Sequence, residues 1–300
     1  MGPTAAGKTE IAIQLTKQLP CDIISVDSAM VYRGMNIGTA KPDEATLQAA
    51  PHRLVNVRDP WESYSAGDFC LDVVREAVEI LSRGRIPLLA GGTMMYFHAL
   101  QVGLAKLPKA NPEFRAEIDA RASDIGWPLL HAELMQLDPV AAEKIRPNDT
   151  QRIQRALEVI HLSGEKISDL QQATKPAFDA RFLNIGLMPP DRAKLHQRIE
   201  QRFSMMLDAG FEDEVRQLLA RPQMSVAAPA MRAVGYRQFA EFLQGDTDLT
   251  EAARRAIVAT RRLAKRQITW MRSTADLHLV DSDAANKHEQ VLRLIHDQIP

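Results

Sequence analysis

Gly2, Pro3, Thr4, Ala5, Ala6, Gly7, Lys8 and Thr9 form a complete G-x-x-x-x-G-K-[ST] string, a spacing suited to holding a chain of phosphates. Two glycines let the backbone turn its N–H groups toward phosphate oxygens, while the Lys8 ammonium and the Thr9 hydroxyl address the anion and its Mg²⁺. The string names a class of ligand, not a reaction. Such a loop normally follows a buried central strand, and here only Met1 precedes it, so either that strand is missing or another segment supplies it.

Other groups are placed to do chemistry. Asp27 closes the run Asp22-Ile23-Ile24-Ser25-Val26 and is followed by Ser28, Ala29 and Met30. A carboxylate there can hold Mg²⁺ through water, act as a general base or cap the next turn, and spacing does not choose among these. Gly91-Gly92-Thr93 sets two small residues and a hydroxyl at another apolar run's end, giving either close approach to an anion or a tight turn with Thr93 as N-cap.

Arg261, Arg262, Lys265, Arg266 and Arg272 share one stretch that contains no acid. Helical spacing stacks Arg261 on Lys265 and Arg262 on Arg266, and like charges so placed repel. A solvated face normally mixes in Glu or Asp, so the pattern favours contact with a polyanion. Trp270 in the same stretch is expected in the core, as single helical aromatics usually are. Cations at 151–155 and 231–237, remote in sequence, fit several surfaces reaching one extended phosphodiester backbone.

The elements that must position these groups alternate. Spacing predicts helices over 9–19 and 66–83 and strands over 22–27, 53–57 and 86–90. That order, with the loop, predicts an α/β fold: a P-loop NTPase-like parallel sheet flanked by helices, with ligands at the carboxyl ends of the strands. From 111 to about 175 only helical segments appear, over 112–122, 127–137, 141–145 and 150–162, which reads as an inserted all-helical domain. A strand over 181–187, helical sequence over 192–219 and 250–271, a strand over 277–280 and a helix over 287–299 complete the core.

A composition of 45% hydrophobic and 25% charged residues is that of an ordinary globular protein. No apolar run approaches ~18 residues and no leader precedes the loop, so the expectation is a cytoplasmic protein without membrane contact. Cys21 and Cys70 form no ligand cluster, and no structural zinc is expected. The net charge of −1 hides the uneven distribution of cations.

Taken together, the strings Gly-Pro-Thr-Ala-Ala-Gly-Lys-Thr at 2–9, Ser25-Val26-Asp27-Ser28-Ala29, Ile37-Gly38-Thr39-Ala40-Lys41-Pro42, Gly91-Gly92-Thr93, Arg232-Ala233-Val234-Gly235-Tyr236-Arg237 and Lys265-Arg266-Gln267-Ile268-Thr269-Trp270 resemble the tRNA dimethylallyltransferases, the bacterial tRNA isopentenyltransferase family, over essentially the whole chain. The resemblance implies transfer of a dimethylallyl group from dimethylallyl diphosphate to N6 of the adenosine 3′ of the anticodon, in tRNAs reading codons that begin with U. Diphosphate is released and no ATP is consumed. It implies a catalytic core of 1–110 and 178–300, a helical insert of 111–177 gripping the anticodon stem-loop, one copy of the chain and Mg²⁺ on Thr9. Asp27, Thr93, Arg232 and Lys8 would carry the chemistry, with the loop 2–9 around the diphosphate.

Carried over by position, RNA contacts fall on Asp27, Ser28, Ala29 and Met30; on Thr93 and Arg115; on Gln151, Arg152, Ile153, Gln154 and Arg155; on Arg232, Ala233, Val234, Gly235, Tyr236 and Arg237; and on Lys265, Arg266, Gln267, Ile268, Thr269, Trp270, Met271 and Arg272. Three rivals remain distinguishable. A metabolite phosphotransferase needs no basic helix, an enzyme prenylating free adenine nucleotides needs no large insert, and an RNA-binding module is indifferent to loss of Asp27.

Overall fold

The computed structural model describes residues 1–172 and 174–298. It divides into two compact units, Met1–Ala99 with Phe178–Pro300, and Leu100–Ala177.

In the first unit, helix α1 (Lys8–Gln18) starts after Gly7, whose φ of 79° lies in the left-handed region that closes the glycine loop. Strand β1 (Cys21–Val26) follows and pairs in parallel with β2 (His52–Arg53) on one side and β3 (Ile86–Gly91) on the other, in register from Cys21↔Ile86 to Val26↔Gly91. Between β1 and β3 lie α2 (Glu44–Ala49) and α3 (Ala66–Ser82), the latter started by a reciprocal Ser65–Asp68 capping box. Helix α4 (Met94–Gln101) leaves from β3. The strand expected over 53–57 ends at Arg53, because Leu54 and Asn56 take φ of 60° and 58°, which a ladder does not accommodate.

The second unit is helical: α5 (Pro112–Ile125), α6 (Trp127–Leu137), α7 (Pro139–Lys144), α8 (Thr150–Ser163) and α9 (Ile167–Leu170). Asn111, Asp138 and Asp149 cap three of these by accepting from the Phe114, Ala141 and Arg152 N–H groups. Ile118, Leu130, Leu134, Ile153 and Val159 form its fully buried centre.

The first unit resumes with β4 (Asn184–Met188), α10 (Arg192–Asp208), α11 (Phe211–Leu219), α12 (Tyr236–Leu243), α13 (Leu249–Arg272), β5 (Leu277–Asp281) and α14 (Lys287–Gln298). Ile299, expected in the closing helix, lies outside the described residues. Strands β4 and β5 pair in parallel from Asn184↔Leu277 to Met188↔Asp281. Among the described residues all pairings are parallel, as the alternation predicts, but they form two sheets, β2-β1-β3 and β4-β5, and not one.

The seam between the sheets holds the start of the chain. Met1 N donates to Ile185 O at 2.6 Å and Leu187 N–H donates to Met1 O at 2.9 Å. A Cβ on Gly92 would lie 3.1 Å from the Gly2 carbonyl oxygen, so Met1 and Gly2 run between β4 and the end of β3. Met1 thus adds one rung to β4 beside the end of β3. What spans the seam is side-chain packing: Ile86, Leu88 and Ile185 rest against Ile11, Leu15, Leu187, Val280 and Val291. Among the described residues no helix is long and apolar enough to cross a membrane.

Candidate active site

The glycine loop is fastened from α13. Gln267 Oε1 accepts the Thr4 N–H at 2.9 Å and its Nε2 donates to Gly92 O at 2.8 Å, so one buried amide ties the loop to the end of β3. Gln267 therefore works from inside the helix, and not as a surface contact. Lys8 folds back over the loop, its ammonium donating to Pro3 O at 2.7 Å. Burial lowers that ammonium to about 8, the Asp27 carboxylate resists the shift and the Arg202 guanidinium adds to it. Thr9 lies exposed on the first turn of α1.

Asp27 stands at the carboxyl end of β1. Its Oδ1 accepts the Ala29 N–H at 2.8 Å and the Met30 N–H at 3.1 Å. Capping is thus one of its roles, and it occupies one oxygen: among the described residues Oδ2 accepts no hydrogen bond. Thr93, at the end of the neighbouring β3, does not spend its hydroxyl on α4. Its Oγ1 instead accepts the Ser28 N–H at 3.0 Å and donates to Ser28 Oγ at 3.3 Å. The Val26 carbonyl accepts from both Gly92 and Thr93 N–H groups at 3.2 Å, holding the two strand ends in one plane.

Arg202, on α10, is the site residue that reading the sequence missed. Burial drives its guanidinium below the ordinary range and Asp27 works against that, which puts Arg202, Asp27 and Lys8 within electrostatic reach of one another. Its hydrogen-bond partner is the Thr39 carbonyl at 3.5 Å, and among the described residues it pairs with no acid. In the sequence it sits one turn after Arg198 on an amphipathic helix, where both read as surface charge. Only Arg198 is neutralised, by Asp283. A cavity of about 610 Å³ opens beside Arg202, walled by Ile37, Lys41, Pro42, Met205 and Met206, a volume ordinary for a small-molecule site.

Arg232 closes a 3₁₀ turn, Pro229–Arg232, exposed and within electrostatic reach of the Tyr32 hydroxyl. Of its neighbours, Arg237 is exposed while Gly235 and Tyr236 are buried. Along α13, Arg262, Lys265, Arg266, Thr269 and Arg272 are exposed and Ile268 and Met271 face the core. Arg261 is paired with Glu200 of α10, which leaves Arg262, Lys265, Arg266 and Arg272 as the cations of that face outside any ion pair among the described residues. Trp270 departs from expectation: it is 36% exposed and meets His98 edge-on at 5.6 Å, because Ala264, Gln267, Ile268 and Met271 already fill the inward stripe.

Within the helical unit, Arg115 and Arg155 share one carboxylate. Glu158, fully buried, accepts from Arg115 Nε at 2.8 Å and from its NH2 at 2.9 Å, from Arg155, and from the Asn111 N–H at 2.8 Å. Burial works to raise the carboxyl, and the hydrogen bonds from Arg115, Arg155 and Asn111 overcome it and hold it at about 2. Gln151 and Arg152 are exposed at the start of α8, Gln154 donates to Asp119, and Ile153 is core.

A family model described as IPP transferase matches residues 30–274. Among solved structures, the chain is similar to the tRNA isopentenylpyrophosphate transferase of Bacillus halodurans, with 35% identity over 99% of this chain and 94% of that one and a TM-score of 0.70. It is similar to the tRNA delta(2)-isopentenylpyrophosphate transferase of Staphylococcus epidermidis, with 28% identity over 99% and 98% of the two chains and a TM-score of 0.70. A eukaryotic dimethylallyltransferase acting on tRNA matches with 26% identity over 98% of this chain and 76% of that one, at a TM-score of 0.79.

Proposed function

The chain belongs to the IPP transferase family and is an enzyme that transfers a prenyl group to tRNA, and we propose from this that it takes dimethylallyl from dimethylallyl diphosphate and places it on N6 of the adenosine 3′ of the anticodon. In this reading residues 2–9 are a P-loop that holds a departing diphosphate, not a nucleotide, and the anticodon stem-loop is the acceptor. The single observation that carries it is the grouping of Lys8 and Arg202 around Asp27, whose Oδ2 is uncommitted among the described residues.

An adenine N6 amine is a weak nucleophile because its lone pair is delocalised. As nitrogen attacks the allylic carbon, a carbon–nitrogen bond forms, the carbon–oxygen bond to diphosphate breaks, and the N6 proton passes to Asp27 Oδ2. Negative charge then grows on the leaving oxygen. Lys8, the loop N–H groups and Arg202 meet that charge where it develops, and Arg232 would add its charge to theirs. Thr93 acts through Ser28, keeping the Asp27 turn against the end of β3.

Among the described residues no cluster of His, Cys, Asp and Glu could enclose a metal ion. The exposed Thr9 hydroxyl at the start of α1 would be the protein ligand of a Mg²⁺ ion bound with the diphosphate. Mg²⁺ there would neutralise diphosphate charge. The cationic face of α13 and the Arg115 and Arg155 pair would contact the RNA backbone.

The test is incubation with labelled dimethylallyl diphosphate and an anticodon stem-loop carrying that adenosine, with ATP in a parallel tube. Label is expected in RNA with no ATP turnover. ATP hydrolysis without labelled RNA would end the reading.

A further inference from the structure

The string Ile37-Gly38-Thr39-Ala40-Lys41-Pro42 is left without a task by the reaction. Lys41, half-buried, nevertheless commits its whole ammonium to protein acceptors, donating to Tyr32 O at 2.8 Å, Asn36 Oδ1 at 3.1 Å and Asn56 Oδ1 at 2.7 Å. Three donors meet three acceptors, all uncharged, and among the described residues Lys41 joins no ion pair. A surface lysine would keep its hydration. This one staples three segments together.

We propose that Lys41 is a positioning residue for Asp27, set in place by a clamp that Glu214 forms on segment 36–38. This rests on the reading of Asp27 as the base. Residues 27–32 form a short turn whose near end is fixed by Asp27 itself, through the Ala29 and Met30 N–H groups. Its far end is fixed at Tyr32, whose N–H donates to Ala29 O at 3.2 Å and whose carbonyl takes the Lys41 ammonium. Asn56 N–H donates to Met30 O at 3.2 Å, so the Asn56 side chain and backbone brace the same turn that Lys41 holds. Without Lys41 the Tyr32 carbonyl loses this partner, and the far end of the turn is left to the Val57 and Arg58 N–H groups on Val31 O.

Glu214, on α11, explains why Lys41 stands there. Its Oε2 accepts the Asn36 and Ile37 N–H groups, each at 2.8 Å, and its Oε1 accepts the Gly38 N–H at 3.1 Å and the Tyr236 hydroxyl at 2.5 Å. Gly38 lies flat on the rings beneath: a Cβ there would fall 2.2 Å from Phe211 and 2.6 Å from Tyr236. The Glu214 and Asp27 carboxylates both favour the charged form of Lys41 against its burial, which lowers it to about 8.

The experiment compares the parent chain with Lys41→Met in single-turnover prenyl transfer to tRNA. The expected result is a transfer rate lower by between about 10- and 100-fold, with the affinity for dimethylallyl diphosphate within about twofold of the parent. Amide exchange over residues 27–32 should quicken while that over 8–18 is unchanged. Glu214→Gln and Asn56→Ala should show the same split, more weakly, and keep the inference testable if Lys41→Met does not fold. Parental transfer rates in these variants, or a loss confined to donor affinity, would overturn it. Asp27→Ala separates the two proposals: if that variant still transfers, the assignment of the base has failed, whereas an inactive Asp27→Ala beside a fully active Lys41→Met removes only the role of Lys41.

Discussion

Ser28 and Thr93 are laced together where β1 and β3 end, the Ser28 N–H on Thr93 Oγ1 at 3.0 Å and the Thr93 hydroxyl on Ser28 Oγ at 3.3 Å. This lacing joins the residue after Asp27 to the residue after Gly92, which Gln267 ties in turn to the loop at Thr4. Asp27 and the glycine loop are therefore linked through the Thr93 and Gln267 side chains, without a direct bond between them.

Asp27→Ala should retain tRNA binding and lose prenyl transfer by about 10²–10⁴-fold, the usual contribution of a positioned general base. Binding is measured by titration of labelled stem-loop and transfer under single turnover. Turnover close to that of the parent would remove Asp27 as base.

Donor binding should depend on pH through Lys8. Its ammonium is held at about 8, below its ordinary 10.5, and a diphosphate prefers the charged form. Affinity should therefore be level below pH 8 and fall by up to about tenfold per unit above it. Lys8→Ala should flatten that limb, Arg202→Ala should weaken donor binding while keeping it, and donor kinetics unchanged in both would count against the leaving-group site.

Lys265→Ala with Arg266→Ala should lower tRNA affinity and reduce the slope of log K against log salt by about 1.5, two phosphate contacts' worth. A slope equal to the parent's would return the outer face of α13 to plain solvated surface. Base preference should not change, since phosphate contacts carry no sequence information.

The helical unit should be acid-sensitive through Glu158. Its folded value of about 2 lies below the ordinary 4.5, so its contribution is full above 4.5 and is lost as pH falls from 4.5 through 2. Glu158→Gln should cost on the order of 2 kcal/mol at neutral pH. The gap in thermal midpoint between parent and variant should close as the solution is acidified to pH 2, and a gap constant with pH would show that the charge carries none of it.

What was legible in the sequence is what local spacing encodes. The glycine loop, the helices of the insert and the cations of α13 follow from residue type and period. The short β2 was not legible, because Leu54 and Asn56 have strand-compatible types and leave the ladder only through φ. Arg202 was not legible as a candidate, since a helical arginine turned toward the protein and one facing water share the same period. Trp270 was misjudged for a related reason: which stripe of α13 turns inward is decided by what α10 and the loop present to it, and Gln267 took a place that composition assigns to an apolar residue.

The divided sheet has a mechanical consequence. Among the described residues the three-stranded plate and the two-stranded one share no strand, and side-chain packing joins them. Lys8 stands on the helix that leads into the first plate and Arg202 on the helix that leaves the second. A diphosphate gripped by both, as proposed, would act as a cross-brace, and at a hundredfold excess over its Kd such a ligand would add about 2.7 kcal/mol to the folded state. The donor would then stiffen the very joint on which the transfer of its prenyl group depends.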